Sequence, residues 1–148
     1  MPSFNLEKLQ RLVEERAMAA NNLKDANDRL RESRTEMNRL HAILTANAGS
    51  PNAQAALSEK MKLSLSELAD KGTQGVLAYQ VERNGELRTH ELNINIQTFN
   101  KFIHARENVR RLEGVVDERQ ERLDRYAIVS SLRSAVAEWG FNTMEMGL

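Results

Sequence analysis

Cysteine is absent from the chain, which excludes disulfide staples and thiol catalysis while fitting any redox compartment. Aromatic residues make up only 5% of it, too few for a conventional globular core built around large rings. No run of about 18 apolar residues occurs, and the start, Met-Pro-Ser-Phe-Asn-Leu-Glu-Lys, lacks an apolar leader segment. These absences point away from a membrane and toward a cytoplasmic protein. Charge of one sign is missing too, since 21 basic residues balance 21 acidic ones with no basic half. A nucleic-acid binder that relies on a broad positive field is therefore disfavoured, although a local patch is not excluded.

Motifs for chemistry are equally scarce. The sequence has no G-x-G-x-x-G and no G-x-x-x-x-G-K-[ST], so its seven glycines read as punctuation instead of phosphate cradles. His41, His90 and His104 have no H-x-x-x-H or H-E-x-x-H spacing. Asp25, Asn27 and Asp28 hint at a calcium loop, but Leu30 occupies the position where that loop needs glycine. Sequence neighbours such as Glu14-Glu15 and Asp117-Glu118 point to different sides of a helix and cannot converge for acid/base work. No catalytic residue, metal ligand or cofactor is expected.

What is present is helix patterning. From Leu6 to about Ala46, residues recur in steps of three and four: Leu9, Leu12, Arg16, Ala19, Leu23, Ala26, Leu30, Ser33, Met37, Leu40, Leu44. A helix over 3–48 would be roughly 60 Å long. Small residues at 19, 26 and 33 would let a partner helix come close. Arg16 and Ser33 interrupt the seam, either to specify register or because the seam there faces water. Ala48-Gly49-Ser50-Pro51 supplies a glycine stop, a capping serine and a first-turn proline, so a second helix is expected over 51–71, ended by Gly72.

Between 75 and 96 the period becomes two. Leu77, Tyr79 and Val81 lead into Asn84-Gly85, a two-residue hairpin turn, and Leu92, Ile94 and Ile96 follow. A turn centred on Asn84-Gly85 opposes Arg83 to Glu86, Tyr79 to His90 and Leu77 to Leu92. A third helix over 98–139 carries a stripe of Phe102, Ala105, Val109, Leu112, Val116, Arg119, Leu123 and Tyr126, continuing to Trp139. Gly114 inside it costs on the order of 1 kcal/mol against alanine and serves either close helix packing or a bend.

The expected fold is mainly α: a single elongated domain, 1–148, built as a long antiparallel, coiled-coil-like helical hairpin. The shorter helix and one small β-hairpin lie between its arms. Narrow stripes make a thin interface, so the seam residues Leu9, Leu12, Leu23, Leu30, Met37, Leu40, Leu44, Phe102, Val109, Leu112, Val116, Leu123 and Tyr126 are expected to pair with each other and with further copies, as a homodimer or larger assembly.

Two groups of residues are candidates for a partner. Arg83, Asn84 and Arg88 of the hairpin, with Arg106 and Arg110 at the start of the last helix, could form a basic rim, or be ordinary surface charge. Trp139, Phe141 and Met144 in the apolar tail 140–148 could meet a partner or fold back. The expected function is that of a non-enzymatic, oligomeric interaction protein, such as an adaptor, assembly or structural component, or protein inhibitor. A nucleic-acid-binding or regulatory protein and a small-ligand sponge with pockets between subunits are the alternatives.

Overall fold

Residues 6–48 are rich in Leu, Ala, Glu, Arg and Lys and free of glycine and proline, and they form one unbroken helix, α1, Leu6–Ala48. The structure, a computed structural model, describes residues 6–71 and 75–127 and is mainly helical. Gly49, at φ 79°, ends α1 in the left-handed conformation that glycine adopts without strain. The Ser50 hydroxyl then accepts from Ala53 N at 3.2 Å, and Pro51 opens α2, Pro51–Met61.

The single helix expected over 51–71 is in fact two. Lys62-Leu63-Ser64 separates α2 from α3, Leu65–Lys71. The Ser64 hydroxyl caps α3: it accepts from Glu67 N and donates to Glu67 Oε1, each at 3.2 Å. The carbonyls of Met61 and Leu63 at the break receive a buried guanidinium from α4, so the break costs no unsatisfied acceptor there.

The hairpin follows its expected register. Strands β1, Val76–Arg83, and β2, Glu86–Asn93, pair antiparallel with Arg83 opposite Glu86, Tyr79 opposite His90 and Leu77 opposite Leu92. Asn84 and Gly85 both have positive φ, as the two-residue turn requires. The last helix, α4, Ile96–Asp124, begins two residues earlier than expected because Asn95 caps it, its side-chain oxygen accepting from Thr98 N at 3.1 Å. Arg125 and Tyr126 form a turn after Asp124, where Tyr126 N donates to Leu123 O at 2.9 Å, so the expected helix is interrupted there, and its continuation from 128 to Trp139 lies outside the described residues.

These elements fall into two compact units. In the first, residues 6–30 of α1 and the part of α4 from Arg111 onward run antiparallel. Arg119 Nη1 donates to Asn22 O at 2.7 Å, and seven residues further along each segment in opposite directions Tyr126 Oη, just past the end of α4, donates to Glu15 at 3.3 Å. Ala19, Leu23, Ala26, Leu30 and Leu112 are buried there. Ala26 is fully enclosed, as a seam of small residues allows.

The second unit, Arg31–Arg110, holds a core of Leu40, Leu44, Leu57, Met61, Leu68, Ile94, Phe99, Phe102 and Ile103. Leu77 and Leu92 pack on it from the base of the hairpin, and Met37 and Ala105 from α1 and α4. Ser33, one of the two polar seam residues, is paired: Asn108 Nδ2 donates to its hydroxyl at 2.9 Å in a half-buried position. A paired polar group in a seam fits one register and penalises slipped ones. Gly114 is not a close-packing site, because a Cβ there would meet nothing within 4 Å.

Candidate functional site

Arg106, read from the sequence as part of a basic rim, turns inward. It is 7% exposed and is the buried charged residue among those described. Nη1 donates to Met61 O at 2.8 Å and Leu63 O at 2.6 Å, while Nε and Nη2 reach Glu107 Oε1 at 3.0 and 2.7 Å. A guanidinium so occupied has no fork left for a phosphate. Its burial is physically acceptable because the adjacent carboxylate supplies the countercharge and the helix break supplies neutral acceptors. Arg106 is thus a clamp that holds the end of α2 and the start of α3 onto α4. Arg110 remains exposed but lies 3.2 Å from the same Glu107 oxygen, which draws it into that pair.

The seam residues are covered to different degrees. Leu23, Leu30, Leu40, Leu44, Phe102, Val109 and Leu112 are buried, and Leu9, Leu12, Met37, Val116, Leu123 and Tyr126 are half-buried. The buried seven are covered by the chain's own elements, while the half-buried six keep part of their apolar surface open along the seam. The thin two-helix interface is supplemented in the second unit by α2, α3 and the hairpin, which share one core with α1 and α4. Sequence reasoning treated them as a connector.

Apolar surface does remain outside the fold. In the second unit Leu65 is 54%, Val76 41% and Leu87 66% exposed, and in the first unit Leu6 and Met18 are exposed. Val76 lines an open groove of about 520 Å³ with Lys60, Leu63, Leu68 and Lys71. Leu65 lies across α3 on a second groove of about 350 Å³ with Ala69, Ile103 and His104. Sequence reasoning missed this surface because the short helix was read as continuous; the S-x-x-E capping signature at Ser64 and Glu67 could have located it.

The candidate residues of the hairpin come together. Arg83 and Arg88, with His90, Val81, Glu82 and the start of α2 at Ser50 and Asn52, line an open cleft of about 480 Å³. Asn84 serves the turn itself, at φ 55°. Of the other histidines, His41 tilts against Phe102 with ring centres 6.0 Å apart, and His104 is exposed. Trp139, Phe141 and Met144 lie outside the described residues.

Among the described residues no three His, Asp or Glu side chains gather as metal ligands, and no buried side-chain nitrogen or oxygen lacks a hydrogen bond. No helix among them is long and apolar enough to cross a membrane. No protein-family model matches the chain, and no curated protein or solved structure shows significant similarity to it.

Proposed function

We propose that the chain is a non-enzymatic helical interaction protein, an adaptor, assembly or structural component or protein inhibitor, that works in the cytoplasm as a homo-oligomer and engages another protein. The observation that carries this reading is the apolar surface on both sides of α3: Leu65 and Val76 stand exposed beside open grooves although a well-filled core lies directly beneath. An exposed apolar side chain at each of two open grooves, one of them with Lys60 and Lys71 along it, supports a surface that meets a partner. The polar seam pair Ser33–Asn108 adds support for specified helix pairing.

The first test is sedimentation equilibrium of the full chain at ~10 μM, a concentration that corresponds to an ordinary self-association free energy. A mass of at least twice the 16.8 kDa of one copy is expected. The Leu65→Lys, Val76→Lys double variant is expected to reduce it at unchanged helicity. A 16.8 kDa species at that concentration overturns the oligomeric part of the proposal. The nucleic-acid reading gains nothing from α4, since Arg106 is a structural clamp and Arg110 shares its carboxylate.

A further inference from the structure

The inner face of the hairpin changes character along its length. By register, Leu77, Tyr79, Val81 and Arg83 of β1 share that face with Leu92, His90, Arg88 and Glu86 of β2. At the base, Leu77 and Leu92 pack on the core. Toward the turn, apolar residues give way to Arg83, Arg88 and His90, and there the face overhangs the start of α2 without closing on it, leaving the cleft of about 480 Å³.

Two cations brought together here repel one another, and the solvated carboxylates beside them offset that repulsion only in part. Arg83 and Arg88 are diagonal neighbours across the two strands, close enough for long side chains to interact. The helix start they overhang carries positive partial charge of its own, and the first turn of α2 has no acidic residue to offset it. The carboxylates nearby are Glu82, on the cleft wall, and Glu86, whose oxygen lies 3.7 Å from Arg88 Nη2 in a pair that is about 70% exposed on both sides. Such a solvated pair is easily exchanged for a better acceptor. His90 is held in place by stacking on Tyr79, ring centres 5.7 Å apart and planes 23° from parallel.

We propose that this cleft binds a phosphate group, free or as the terminal group of a small ester, with Arg83 and Arg88 as the charge-assisted donors and His90 as the wall. Two guanidinium forks approaching from different strands match the several oxygens of a phosphate better than the single plane of a carboxylate. The site stands on the hairpin's cations and the shape of the cleft, and α2's N-terminus only adds to the field. The near-neutral chain and the carboxylates at 82 and 86 favour one small anion over the backbone of a nucleic acid. The inference goes beyond the interaction role and is independent of it, because sedimentation tests one and ligand titration the other.

The experiment is a titration of the isotope-labelled full chain, followed by its amide resonances, with inorganic phosphate in one arm and glycerol phosphate in the other. Ionic strength is held constant with chloride. Saturable shifts confined to the amides of residues 50–53, 81–83 and 86–90 are expected. The Arg83→Gln, Arg88→Gln double variant, folded because both side chains are exposed, is expected to bind at least about tenfold more weakly. Tighter binding of glycerol phosphate identifies an ester, and equal or tighter binding of inorganic phosphate identifies the free anion. Absence of saturation by ~10 mM, far weaker than a functional anion site requires, or equal binding by the variant overturns the proposal. So does a short single-stranded oligonucleotide that binds more tightly than either probe and shifts amides along α4.

Discussion

Arg106 Nη1 lies 2.8 Å from Met61 O, so a side chain in the middle of one helix terminates another helix 45 residues earlier in the chain. The same nitrogen reaches Leu63 O, and Glu107 balances its charge. Replacing Arg106 with methionine keeps much of the volume but leaves two carbonyls without their donor and Glu107 with only Arg110. A loss of about 2–4 kcal/mol is expected, the range for breaking a buried charged hydrogen-bond network. Urea denaturation would show a lower midpoint at unchanged slope; a loss below about 0.5 kcal/mol would contradict the clamp.

The Ser64 hydroxyl holds the start of α3 through both of its hydrogen bonds to Glu67. Ser64→Ala is expected to cost about 1 kcal/mol, and Ser64→Asp, which keeps the cap acceptor, much less. Amide exchange should quicken at Leu65–Lys71 before it does in α2. Uniform quickening across both helices would mean that α3 has no separate cap.

Gly114 offers a stabilising change. It sits inside α4 with open space where a side chain would project, so Gly114→Ala is expected to raise stability by about 0.5–1 kcal/mol through helix propensity and unfolded-chain entropy. A destabilised Gly114→Ala variant would reveal a contact at this position.

Ala26 is fully buried between α1 and α4 in the first unit. Ala26→Leu must push the helices apart or force strained rotamers, and a cost of about 1–3 kcal/mol is expected. Thermal unfolding of this variant beside Asn27→Leu, a solvent-facing control, would separate overpacking from added hydrophobicity.

The exposed pair Glu36–Arg39 bears on pH. The hydrogen bond from Arg39, with its charge, holds the Glu36 carboxyl below the ordinary glutamate range. A carboxyl whose pKa is lowered on folding contributes stability above its unfolded value, and that contribution fades as pH falls through the folded one. An NMR titration of the Glu36 side chain should show the depressed midpoint, returning to the ordinary range in Arg39→Met. Because the pair is solvent-exposed, the change in stability should be small.

Much of this was legible locally. The glycine stop at Gly49, the Ser50-Pro51 start and the Asn84-Gly85 turn each depend on the backbone preferences of one or two residues, and each appears where the pattern places it. The hairpin register followed from the turn, because a two-residue loop leaves a single pairing. The break in helix 51–71 was legible too, in the S-x-x-E of Ser64-Leu65-Ser66-Glu67, but the evenly spaced Leu57, Met61, Leu65 and Leu68 concealed it.

Where each helix lies, and which side chains share a turn or a strand face, was therefore determined by the sequence itself, through interactions that span four residues or fewer. Tertiary structure alone decided that Arg106 faces inward while Arg110 stays outside, and that Ser33 finds Asn108. The spacing of Arg106 and Arg110 is that of neighbours on one helix surface, and nothing in it distinguishes a buried guanidinium from a solvated one. The difference lies in the free carbonyls of a helix end contributed from 43 to 45 residues away, and those become available only when the chain has folded.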